Sequence, residues 1–164
     1  MRSGAMSVQF IKRAGKPALL RCVRADGSAT MAEIAPGPAH DLIHFAVETT
    51  LACRRGFYSL LAEGWSIEGF NVAGAAQKLA IPEEAIAVEF IVGLLQMELL
   101  SGVPAADFRA ELERALAGAK STAQPPPMTA GQLATIRERI AELLGRWRAL
   151  PPGSTMVLSF ESST

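Results

Sequence analysis

Apolar and polar positions alternate with a period of two in three stretches near the start of the chain, which is how a half-buried β-strand reads. The pattern predicts strands over 7–12, where Val8 and Phe10 alternate with polar neighbours, over 18–24 (Ala-Leu-Leu-Arg-Cys-Val-Arg) and over 29–34. Gly15-Lys16-Pro17 breaks the first from the second, and Asp26-Gly27 is a hairpin signal between the second and third. Period two returns only at Ser154 to Glu161, with Met156, Leu158 and Phe160 on one face. A lone terminal strand needs a partner, and the N-terminal meander is the available one.

Between these strands the spacing becomes helical. Pro36-Gly37-Pro38 launches a helix over 39–53, and Phe57 to Glu63 reads as a shorter one closed by Gly64. Trp65, Ile67 and Phe70 are expected on a loop that covers the core, with a short helix across Ala73–Leu79. Pro82, Glu83 and Glu84 open a helix to about Leu100 whose apolar residues run around most of its circumference, so it is expected to be central or to form a homodimer surface. A further helix is predicted over 105–117, then a Pro-rich loop over 118–128. Thr129 and Gln132 form a capping box for a last helix whose Leu133, Ile136, Ile140, Leu143, Leu144 and Trp147 share one narrow arc. The arginines flanking that arc are expected to lay their stems on it with heads in water. The fold class is therefore α+β: a single domain over 1–164, after a flexible start over 1–6, in which a four-stranded antiparallel sheet (three N-terminal strands plus the C-terminal strand) packs against about five or six helices.

Composition narrows the function classes. With 49% apolar and 20% charged residues in 164, the chain is able to bury a core without disulfides. The net charge is zero, but residues 1–25 carry Arg2, Lys12, Arg13, Lys16, Arg21 and Arg24 with no acidic residue. Phe10 is the only aromatic residue among them, so nucleic-acid binding is disfavoured against pairing with acidic helices or protection of sheet edges. The apolar run from Ala85 to Leu100 is interrupted by Glu89, Gln96 and Glu98, which fits a buried helix and not a membrane span. Two cysteines, Cys22 and Cys53, do not make a disulfide scaffold, and a reducing cytoplasm is expected; Cys53 is expected to be a buried inert thiol, and Cys22, in a strand, could join the histidines only through tertiary approach.

Candidate chemistry concentrates on the helix that carries both histidines. At about 100° per residue, with His40 at zero, His44 falls near 40°, Glu48 near 80° and Asp41 near 100°. Leu42, Ile43, Ala46 and Val47 fall on the other side. Histidines at i and i+4 converge on one ion, and imidazole suits a divalent transition metal such as zinc. His40, His44 and Glu48 are the candidate ligands, with Asp41 orienting a ring; Glu48 alternatively hydrogen-bonds His44 from behind. Glu48 lies too far along the axis for all three to reach one ion easily, so another helix must complete the site, and Glu63, Glu89 and Glu98 are the carboxylates proposed for it. Asp41 stands where a zinc protease of the His-Glu-x-x-His type has its glutamate, which disfavours that activity. The competing reading is a solvated polar face at an ordinary helix start.

The run His40-Asp41-Leu42-Ile43-His44-Phe45-Ala46-Val47-Glu48, with Gly56-Phe57-Tyr58 and Ala62-Glu63-Gly64 after it, resembles small bacterial proteins sharing a Pro-His-Asp-Leu-x-His-x-x-Val-Glu helix and a Gly-Phe-aromatic turn. The resemblance spans residues 38–64 and departs at Ala39, where proline is expected. It implies relatives but no reaction. Two function classes follow: a metal-binding or acid/base cluster on the His40–Glu48 helix, or a non-enzymatic interaction module using the helix over 83–100.

Overall fold

A computed structural model describes residues 4–71 and 81–163. Strands β1 (Met6–Ile11), β2 (Ala18–Val23), β3 (Ala29–Ile34) and β4 (Thr155–Phe160) form one antiparallel sheet in the order β3-β2-β1-β4. Helices α1 (Ala39–Thr50), α2 (Phe57–Glu63), α3 (Ile67–Asn71), α4 (Glu83–Ser101), α5 (Phe108–Gly118) and α6 (Ala130–Ala149) complete the described elements. The α+β architecture read from the sequence is the one observed. Differences lie at element ends. β1 begins at Met6, which is buried opposite Phe160 and so belongs to the core and not to a loose start. α1 stops at Thr50, and residues 67–71 are helical where a loop was expected. The helix expected across 73–79 lies outside the described residues.

The period-two pattern explains the sheet's two faces. Val8, Phe10, Leu20, Cys22, Met156, Leu158 and Phe160 are buried toward the helices, while Met31 and Val157 stand on the solvent side. α1 lies across this core. Phe45 meets Phe160 of the sheet edge-on at 6.4 Å, and the helix also packs against α4 and α6. An element packed on several sides leaves little of its circumference to water, which decides the fate of its polar residues. α4 is not uniformly central: Ala87, Val88, Ile91 and Val92 are fully buried, but Met97, Leu99 and Leu100 at its C-terminal end are exposed. Among the described residues no helix is long and apolar enough to cross a membrane.

The basic N-terminal segment is used internally, and mostly on carbonyls. Lys12 Nζ donates to the carbonyls of Trp147 (2.6 Å) and Leu150 (2.7 Å) at the C-terminal end of α6, where unpaired carbonyls concentrate negative charge. Arg24 does the same past α2, donating from Nε to Leu61 O and from Nη2 to Trp65 O, both at 2.6 Å. Arg13 pairs with Glu33 on β3 at 2.8 Å. On α6, Arg137 is not a free head in water: it holds Glu98 of α4 through two bonds of 3.0 and 2.7 Å. Lys12→Met keeps the aliphatic stem and removes both bonds to the end of α6; it is expected to lower stability by about 2 kcal/mol, read as a reduced urea midpoint at unchanged m-value.

Candidate metal centre

The polar face of α1 is buried at His44 and Glu48, while His40 at its start keeps 42% of its side chain exposed. His44 and Glu48 each expose 1% of their surface, which a helix-start or surface-polarity reading does not accommodate. Glu48 Oε2 lies 2.9 Å from His44 Nδ1, one helical turn away. Its other oxygen, Oε1, accepts the backbone N–H of Tyr58 at 2.9 Å, in the first turn of α2. The positive end of that short helix therefore meets the carboxylate. The approach is close enough that Gly56 is required: a Cβ there would overlap Glu48, lying 2.6 Å from its Cδ. Burial pushes the Glu48 carboxyl up, and its bonds to His44 and the α2 amides oppose that effect.

The other edge of the His44 ring faces α4. Glu89 Oε1 lies 2.7 Å from His44 Nε2, and Glu89 Oε2 lies 3.4 Å from His40 Nε2. The His40 and His44 rings meet edge-on at 4.7 Å. His40, His44 and Glu89 thus form a group able to hold a metal ion, with one ligand atom from each all within 4.8 Å of one another. Bonds of about 2.0–2.1 Å in a tetrahedral zinc site put ligand atoms roughly 3.3 Å apart, so the trio is within small side-chain adjustments of that spacing. His44 Nε2 adds a second observation. It is buried, and despite its nearness to Glu89 it lacks an aligned hydrogen bond among the described residues. The contact with Glu89 is therefore an ion pair of poor hydrogen-bond angle, and a metal ion on Nε2 would replace the proton between the two groups.

Each residue singled out from the sequence has a definite place. His40 and His44 are together, with Glu89 supplying the carboxylate from a second helix. Glu48, a candidate ligand by helical spacing, is bonded to Nδ1 of His44 and to α2, away from the group formed by the other three. Asp41 lies 4.0 Å from His40 Nδ1 and lines the same cavity. Glu98 is committed to Arg137 and to the Ala105 amide (2.9 Å), and Glu63 lies 3.6 Å from Arg55. Cys22 and Cys53 are buried; desolvation chiefly, and Asp41 secondarily, pushes the Cys22 thiol up to about 12, so it is inert.

The group opens on a cavity of about 900 Å³ between α1, α4 and the β3–α1 connection. Its wall is largely apolar, including Ile34, Phe57, Ile67, Phe70, Ile86 and Phe90. A chain of ring contacts leads outward from the site: His44 to Phe57 at 5.4 Å, then Phe57 to Phe70 at 5.0 Å. Comparison of the chain with protein-family models, with curated proteins and with solved structures returns no match.

Electrostatics favour a charged His44 when no ion is bound. Burial of the ring disfavours imidazolium, but the Glu48 carboxylate on Nδ1 and the Glu89 carboxylate beside Nε2 outweigh it, and His44 is pushed up to about 10. Glu89, for its part, is held well below the usual carboxylate range: burial alone would raise it, and the two histidines reverse that. The His44 shift is upward, so its contribution to stability is complete below the unfolded value of about 6.5 and is lost as pH rises through about 10. In metal-free protein the His44 ring, followed by nitrogen-detected NMR, is expected to remain imidazolium through pH 8 and to titrate lower in Glu48→Gln. A ring already neutral at pH 7 would contradict the assigned geometry.

Proposed function

We propose that this protein binds one divalent transition metal ion through His40, His44 and Glu89, with Glu48 as the carboxylate that orients His44. The convergence of His40, His44 and Glu89 ligand atoms to within 4.8 Å of one another beside a cavity carries this reading. Two imidazoles and one carboxylate are the donor set of hydrolytic zinc sites and also of non-haem iron sites. Zinc is the better fit here because the group is compact and both histidines come from one rigid helix. When bound, such an ion polarises a carbonyl and lowers the pKa of water. The chain's own residues do the rest: Glu48 fixes the tautomer that leaves Nε2 free for the ion, and the apolar wall restricts water. Buried, unpaired thiols are consistent with a reducing cytoplasm.

Titration of metal-free protein with zinc is expected to show one site per chain. Affinity should fall at least about 100-fold in His44→Ala and in Glu89→Ala, and by about 10–100-fold in Glu48→Gln, the range for a residue that supports a ligand without being one. Unchanged binding in Glu89→Ala would sink the assignment, as would the absence of binding at micromolar zinc.

The exposed end of α4 supports a second reading, that the chain self-associates. Met97 and Leu100, 64% and 78% exposed, stand one turn apart with Leu99 and Val103 beside them, an apolar group at the C-terminal end of α4. Sedimentation velocity is expected to show a concentration-dependent dimer that Met97→Asp with Leu100→Asp abolishes while zinc binding persists. A monomer at every concentration would remove this reading.

A further inference from the structure

The lining of the cavity restricts what the site can receive. Among the described residues its charged groups are Glu33, Asp41 and Glu89 against Arg148, with the two histidines also on the lining. Three carboxylates exceed one guanidinium, and a divalent ion does no more than balance the excess. The buried Glu48 behind His44 adds further negative charge. Among the described residues there is accordingly no surplus positive charge with which to hold a phosphate dianion; the first turn of α1 does line the cavity, but it carries Asp41, whose carboxylate opposes a second anion there. Among the described residues the lining also has no lysine, serine, threonine or tyrosine, so a sugar or nucleotide, which needs several directed hydrogen bonds, has few partners. What it does offer is apolar area in one direction, from the His44 ring along Phe57 to Phe70, with Ile86 also on the wall.

We propose that the ligand is a neutral, largely apolar small molecule that presents one carbonyl-type oxygen to the His40–His44–Glu89 centre and lays its body along the Phe57–Phe70 wall. This rests on the metal reading above. The polar end is recognised by the ion and the remainder by burial, so discrimination among ligands is set mainly by the length and shape of the apolar part. At about 900 Å³ the cavity takes a body well beyond a few carbons.

The test uses the full chain loaded with cobalt(II), whose visible spectrum reports ligands entering its coordination sphere, and a series of straight-chain primary amides from acetamide to octanamide. Each is expected to shift the spectrum, with affinity rising about fourfold per added methylene. Inorganic phosphate over the same concentrations is expected to leave the spectrum unchanged. Phe70→Ala and Ile86→Ala should reduce the dependence on chain length without altering the spectrum of the ligand-free cobalt protein, which also shows that both variants are folded. Equal affinity across the series, or phosphate binding more tightly than octanamide, with a normal cobalt spectrum, would overturn the ligand class and leave the metal site standing. Failure of the wild-type chain to bind cobalt would overturn both.

Discussion

The arrangement depends on one buried carboxylate. Glu48 has lost nearly all contact with water, a costly position for a charge unless every lone pair is met. It is met on one side by the His44 ring and on the other by the first turn of α2, and the two contacts together fix the angle between α1 and α2. Gly56 is part of the same constraint, because any side chain there would occupy the space of the carboxylate. Three residues widely separated in chemical type thus act as one joint. The free edge of the His44 ring points where it does because the other edge is tied.

This joint explains the division of labour at the site. His44 is enclosed by packing and tied to Glu48, whereas His40, one turn earlier, keeps 42% of its side chain exposed. Glu89 comes from α4 with roughly half its side chain open to solvent, and it too has freedom to adjust. One fixed ring with two partners free to adjust suits a centre that must accept an ion and still leave one side facing a cavity.

Much of this was legible in the sequence, for reasons that differ by element. The strands and their pairing follow from strict alternation, and the capping box at Thr129 and Gln132 forms as local chemistry dictates, with both bonds present. The histidine face was recognisable from angles alone. Its burial was not, because a polar stripe opposite an apolar one is the same string of letters whether water or another helix covers it. The role of Glu48 was ambiguous for a related reason: spacing of four allows a shared ion or a ring hydrogen bond, and the choice depends on Gly56 and Tyr58, which arrive from a separate helix. Glu89 stood among three carboxylates on apolar helices, and only tertiary register separates it from Glu98, which meets Arg137 instead. Arg137 itself was misread for the same cause, its partner lying 39 residues away.

The bonds made by Arg24 have a consequence for the whole assembly. α2 is seven residues long, well short of the length at which a helix holds its shape unaided. It persists between a carboxylate at its entrance and a guanidinium just beyond its exit, and that guanidinium belongs to the end of β2. The amide that holds Glu48 is therefore kept in place from the far side by the sheet. Hairpin, short helix and histidine helix make up a single mechanical linkage, in which the N-terminal strands act as the anchor against which the site is braced.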